Sequence, residues 1–309
     1  MNIVIFGAGA IGSLFGGLLS NKHNVVLIGR SNHVEAIQKN GLKIIGKTQL
    51  NLKTHAVKRV NNVDFSPELL ILTVKSYDTE SAIRQARKII DDDTIVLSLQ
   101  NGLDNIETIE KYVNCKKIIA GVTTHGAFFS KPGIIEHTGI GDTVLGELNG
   151  KKTIRIKNIV NAFNQSNIFT SLSKEITKEI WIKAIVNSSI NPLTAVFQCK
   201  NGYLYDNPIL KSIVKEICNE ANAVANTQGA DLSGQKMFNK TVDVIKNTSR
   251  NYSSMLQSLK RGKKTEIDSI NGKIVDIGKM NDVDTLINEI LIRLIKFICL
   301  NWDFFSLNQ

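Results

Sequence analysis

The run Ile3-Val4-Ile5-Phe6-Gly7-Ala8-Gly9-Ala10-Ile11-Gly12 constrains this chain more than any other stretch of it. A short apolar, β-rich segment feeds a GxGxxG turn, and an apolar helical pattern continues to Ser20. In a dinucleotide-binding turn the first glycine permits the tight bend. The second lets backbone approach a pyrophosphate, and the third lets helix and strand pack closely. Amides at the helix N-terminus then face phosphate. Residues 3–19 carry no charge, but no Lys or Arg precedes them and glycines interrupt them, so a strand-turn-helix is expected rather than a signal or membrane segment.

The end of the second strand, around residues 25–28, bears on the cofactor. NAD sites usually place Asp or Glu there to accept from the ribose hydroxyls. This chain has Leu27-Ile28-Gly29-Arg30-Ser31-Asn32, with no acid. The planar fork of Arg30 suits a 2′-phosphate, so NADP is expected. A solvated surface arginine is the alternative.

Further apolar strands at 69–74, 94–99 and 117–121 alternate with helical patterns at 79–89 and 104–112. That alternation predicts an α/β Rossmann domain with a mostly parallel sheet buried on both faces. Residues 133–148 read as antiparallel strands completing it. From about residue 173 the period changes to 3.6, with helices expected at 174–197, 208–228, 235–247, 265–280 and 285–298. The expected division is therefore 1–172 for the cofactor and 173–309 for an all-helical substrate and catalytic domain.

The formal charge is +10, yet no run of basic residues and no recognition motif point to nucleic acid. The 4 cysteines are scattered without a CxxC pair, so neither a disulfide framework nor a metal site is expected, and the cytoplasm is the expected compartment. A homodimer through the helical half is left open.

The helix near residues 179–197 carries Lys183, Asn187 and Asn191 at i, i+4 and i+8 among apolar neighbours. Each step of four overshoots a turn by about 40°, so the three share a sector of roughly 80°. Such a stripe offers a keto acid amide donors and an ammonium proton; its bland alternative is a snorkelling lysine with solvated asparagines. Pro192 is expected to bend the helix beside Asn191. Ser254 by itself reads as a helix N-cap, and Glu266 as the first turn of another helix. Either position can also receive a substrate carboxylate.

Taken in order, several blocks resemble the ketopantoate reductase family over nearly the whole chain: the glycine turn, Val74-Lys75, Leu99-Gln100-Asn101-Gly102, Thr123-Thr124-His125, Trp181-Ile182-Lys183, Asn187 through Asn191-Pro192, Asn201-Gly202, Ser253 through Gln257, and Thr265-Glu266-Ile267-Asp268. The lysine-helix and Ser-Ser-Met-Leu-Gln blocks are the specific ones. The resemblance implies NADPH-dependent reduction of ketopantoate to (R)-pantoate, on the route to coenzyme A. It makes Lys183 the general acid and puts Glu266 beside it and the cofactor. It gives the substrate to Lys183, Asn187, Asn191, Asn201 and Ser254, with Asn251 nearby. It gives NADPH to Gly7, Ala8, Gly9, Ala10, Ile11 and Gly12 together with Arg30, Lys75, Asn101, Ala127 and Glu266. Leu286 stands where the family often has proline after Thr285, a departure confined to a connection before the last helix. Two other readings are a reductase of a different 2-keto acid and a non-catalytic NADP(H) sensor.

Overall fold

A computed structural model describes residues 1–302. The chain separates into two compact units, residues 1–100 with 104–179, and residues 101–103 with 180 onward.

In the first unit the strands are β1 (Asn2–Phe6), β2 (Asn24–Ile28), β3 (Leu42–Gly46), β4 (Leu50–Leu52), β5 (His55–Val57), β6 (Leu69–Leu72), β7 (Ile95–Ser98), β8 (Ile118–Thr123), β9 (Gly126–Lys131), β10 (Ile134–Gly139), β11 (Thr143–Glu147) and β12 (Thr170–Leu172). Its helices are α1 (Ala10–Ser20), α2 (Ser31–Asn40), α3 (Thr79–Ala86), α4 (Asn105–Glu110) and α5 (Ile154–Gln165). The large sheet has the order β12-β11-β8-β7-β6-β1-β2-β5. The strands from β5 to β8 pair in parallel, and β11 joins β8 antiparallel. Every residue of β6 and β8 is buried, as a sheet covered on both faces requires. Strand β1 lies between β2 and β6, so the winding reverses at its carboxyl end, where open α/β sheets bind ligands.

A second sheet, β4-β3-β10-β9, packs against α1. Phe15 of α1 is fully buried there with Leu42, Ile44 and Ile135, and truncating it to alanine is expected to cost about 3–5 kcal/mol. The antiparallel strands expected in residues 133–148 are present as β10 and β11, each with one antiparallel and one parallel neighbour. β10 is antiparallel to β9 and parallel to β3, whereas β11 pairs with β8 and β12 in the other sheet. Both segments are strands, but they do not pair with each other. Their burial serves two different faces, which a local pattern does not reveal.

The second unit is built from α6 (Ile176–Val196, whose first turn belongs to the first unit), α7 (Tyr203–Asp206), α8 (Pro208–Thr227), α9 (Gly234–Asn247), α10 (Ser254–Leu259), α11 (Lys273–Met280) and α12 (Leu286–Leu300). Its core joins α6 residues Ile185, Val186, Ile190 and Leu193 to Val214, Ile217 and Val224 of α8 and Ile274 of α11. Helix α6 runs through Pro192 to Val196. The helix expected at 265–280 does not start as one. Residues Asp268–Gly272 form a π-turn that leads into α11. Helix α12 has no side-chain cap of its own at Thr285. Instead the Glu220 carboxylate of α8 accepts from the Ile287 and Asn288 amides at 2.9 and 3.0 Å. No helix among the described residues is long and apolar enough to cross a membrane.

Candidate active site

In the first unit the glycine turn follows β1 directly. Gly7 has φ +114°, and a Cβ there would come within 2.6 Å of the Val74 amide nitrogen. A Cβ on Gly12 would come within 2.2 Å of the Gly7 carbonyl oxygen. Neither position tolerates a side chain. Gly9 is exposed, and a Cβ there would meet nothing nearer than 3.9 Å, so its outer face is open to a ligand. The Thr73 hydroxyl donates to the Gly7 carbonyl at 2.9 Å and ties the turn to the end of β6. This cradle, at the reversal point and ahead of the α1 N-terminus, fits a dinucleotide pyrophosphate. Arg30 lies two residues past the end of β2, is exposed and is the N-cap residue of α2, and its carbonyl accepts from the His33 and Val34 amides. Ala8 is buried, Ala10 and Ile11 are half-buried in the first turn of α1, and Ala127 is half-buried in β9.

Residues missed in the sequence hold this cradle. Gln100 donates to the Val74 carbonyl at 3.0 Å and to the Thr79 hydroxyl at 2.7 Å; Thr79 in turn donates to Asn105 at 2.8 Å. That network fixes the loop bearing half-buried Lys75. His33 accepts from the Gly133 amide through Nδ1, which leaves Nε2–H to donate to Ser13 of α1 at 2.9 Å. Burial lowers His33 to about 4, so it is neutral near pH 7. His125 and His137 join ring to ring at 3.1 Å, and His137 meets Thr48 at 2.8 Å. Burial, followed by the adjacent His137, lowers His125 to about 4. Single histidines inside apolar runs carry no periodic signal, and only the folded sheet brings these together.

In the second unit, α6 presents Lys183 and Asn187 half-buried and Asn191 buried, one turn apart. The Thr194 and Ser253 hydroxyls are hydrogen-bonded at 2.7 Å, tying this helix to the segment carrying Asn251 and Ser254. Ser253, not Ser254, is the N-cap of α10: its hydroxyl accepts from the Leu256 amide at 3.2 Å. Ser254, the first helical residue, is exposed. This corrects the expected cap by one residue, since either serine satisfies the local pattern. Asn201 is buried, and its amide donates to the Asn251 carbonyl at 3.0 Å. A Cβ on Gly202 would come within 2.8 Å of Ser249, so the two loops lie too close for any side chain there.

Glu266 is buried, and its carbonyl accepts from the Ile270 amide as the π-turn begins. Irregular turns of this kind recur at functional sites. Asn271 inside it donates to the Ser188 carbonyl of α6 at 3.2 Å and to Asn288 of α12 at 2.9 Å. Asn101 belongs to this unit, and the nearby Leu103 amide donates to the Ser269 carbonyl at 3.0 Å. Lys183, Asn187, Asn191, Asn201, Asn251, Ser254 and Glu266 thus all lie on elements tied by named hydrogen bonds within one unit.

Comparison with known proteins agrees with this arrangement. The family described as ketopantoate reductase PanE/ApbA matches residues 3–150, and its C-terminal counterpart matches residues 175–298. The chain is 43% identical over 299 residues to the 2-dehydropantoate 2-reductase of Pyrococcus abyssi, covering 96% of this chain and 97% of that protein. It is 34% identical to the 2-dehydropantoate 2-reductase of Archaeoglobus fulgidus, over 95% and 96% of the two chains. Among solved structures, D-mandelate dehydrogenase with NADH and anilino(oxo)acetate superposes with a TM-score of 0.93 at 29% identity, over 98% and 100% of the chains. A ketopantoate reductase from Ralstonia eutropha gives 0.90 at 29% identity, over 97% and 99%. With both halves matched in order and in nearly full length, the chain belongs to the ketopantoate reductase family.

Proposed function

We propose that this protein reduces 2-dehydropantoate to (R)-pantoate with NADPH, in the cytoplasm, as a step toward pantothenate. The observation that carries the reading is the Lys183-Asn187-Asn191 face of α6, found in a chain alike along its length to 2-dehydropantoate 2-reductases. NADPH, when bound, supplies the hydride that adds to the ketone carbon. Lys183 donates a hydrogen bond to the ketone oxygen and gives it a proton as negative charge develops. Glu266 orients the Lys183 ammonium. Asn187, Asn191, Asn201, Asn251 and Ser254 hold the keto acid, whose carboxylate suits amide and hydroxyl donors. The α1 amides hold the pyrophosphate and Arg30 pairs with the 2′-phosphate; Lys75, Ala127 and Glu266 also serve NADPH, and Asn101 serves its nicotinamide end. On this reading residues 1–172 serve the cofactor and 173–309 the substrate, a division of roles that differs from the compact units, which part at 179/180 and give 101–103 to the second. Exposed Leu286, Ile290, Leu294 and Phe297, spaced along α12, support a homodimer through the helical half.

A second reading is favoured by the likeness to D-mandelate dehydrogenase: reduction of a 2-keto acid with a bulkier side chain. Absorbance at 340 nm, followed with NADPH or NADH and with ketopantoate, 2-ketoisovalerate or phenylpyruvate, separates them. Fastest turnover of ketopantoate with NADPH is expected. Turnover of phenylpyruvate alone moves the substrate, faster turnover with NADH removes the role of Arg30, and NADPH binding with no turnover favours the sensor.

A further inference from the structure

The strongest unassigned detail in the second unit is the state of the Asn201 side chain. Asn201 is 7% exposed, and its Nδ2 donates to the Thr248 hydroxyl oxygen at 2.9 Å. Its Oδ1 is buried and has no hydrogen-bond partner among the described residues. An amide could ordinarily flip and exchange these atoms. Here it is fixed, because Thr248 has one hydroxyl hydrogen and directs it to the Val244 carbonyl at 2.6 Å. The Thr248 oxygen is therefore left to accept, and only Nδ2 can donate to it. The backbone of Asn201 is fixed as well, by its bond to Asn251 and by the close approach of Gly202 to Ser249. Asn222 and Asn271 also keep an unpaired buried oxygen, but neither lies in a block matched to the substrate set.

A buried acceptor without a donor is costly, and the cost disappears when a ligand brings an O–H. A carboxylate or a methyl group brings none. We propose that Thr248 is a positioning residue: by locking Asn201 with its carbonyl oxygen unpaired, it makes the site select 2-keto acids that carry a hydroxyl donor on the side chain. The inference rests on the ketopantoate reading and adds to it a residue that sets specificity. Sites built to pair a substrate hydroxyl discriminate strongly against analogues that lack it.

The test compares ketopantoate with 3,3-dimethyl-2-oxobutanoate, which differs by that one oxygen, using NADPH and reading kcat and KM separately. The wild-type ratio of kcat/KM is expected to exceed about tenfold. Thr248→Val, which removes the lock, brings the ratio below about threefold, chiefly by slowing ketopantoate, and Thr248→Ser restores it. Should Thr248→Val fail to fold, Thr248→Ala, which also lacks the hydroxyl, gives the same readout. A wild-type ratio below about tenfold, or a folded variant lacking the Thr248 hydroxyl that keeps the wild-type ratio, overturns the role of Thr248 and leaves the reductase standing. A wild-type enzyme that reduces neither acid overturns the reductase reading and the inference with it.

Discussion

The two units place their functional chemistry in different parts of the residue. In the first, the glycine cradle is made of backbone: Gly7 and Gly12 matter for the side chains they lack, and Gly9 for the face it leaves open. In the second, the candidate groups are side chains on helices, Lys183, Asn187 and Asn191 above all, and the backbone only sets their spacing. The first arrangement is damaged by adding atoms, the second by removing them.

Gly12→Val is the harshest way to break that comparison. Its Cβ would lie 2.2 Å from the Gly7 oxygen, so α1 must move off the turn. NADPH affinity, followed by nicotinamide fluorescence, is expected to fall by about 10²-fold or more, or the protein not to fold. Near-normal affinity would show that the turn does not hold the cofactor. Removing a side chain from the same unit should do less. Arg30→Ala is expected to lower the NADPH-over-NADH preference about tenfold, the loss of a charge-assisted contact, with the keto acid KM unchanged. An unchanged preference would remove Arg30 from the cofactor site.

The smallest effect concerns the buried histidines of the first unit. His33 and His125 are each lowered from 6.5 to about 4. Between those values the unfolded chain binds more protons than the folded one. Stability is therefore complete above about pH 6.5 and is lost as pH falls toward 4. Calorimetry from about pH 7.5 to 4.5 should show the melting temperature drop by about 5 °C or more. A flat profile would mean that these rings titrate in the fold as they do in the unfolded chain.

The same contrast explains what is legible in the sequence. The turn at residues 7–12 is contiguous and its geometry is dictated locally, so strand, turn and helix can be read directly. The stripe on α6 is legible as a face, but its chemistry is not, because a lysine and two asparagines at helical spacing also suit solvent. Resemblance to a family supplies that meaning. In the small sheet the β3–β4 and β9–β10 hairpins are local, but the parallel pairing of β3 with β10 joins residues about 90 apart in the chain and has no local signal. Ser253 and Ser254 are both competent caps, and tertiary contact with Thr194 accompanies the choice. The lock on Asn201 needs two segments at once, the loop at residue 201 and the end of α9 with residues 244 and 248, and becomes visible only when the hydroxyl hydrogen is assigned.

The most direct test of this division of labour measures NADPH affinity and ketopantoate turnover on one preparation of Lys183→Ala. The account predicts affinity within about twofold of wild type and turnover lower by about 10²-fold or more, the loss expected for a positioned acid. Turnover near the wild-type rate would contradict it, and so would a loss of NADPH affinity as large as the loss of turnover.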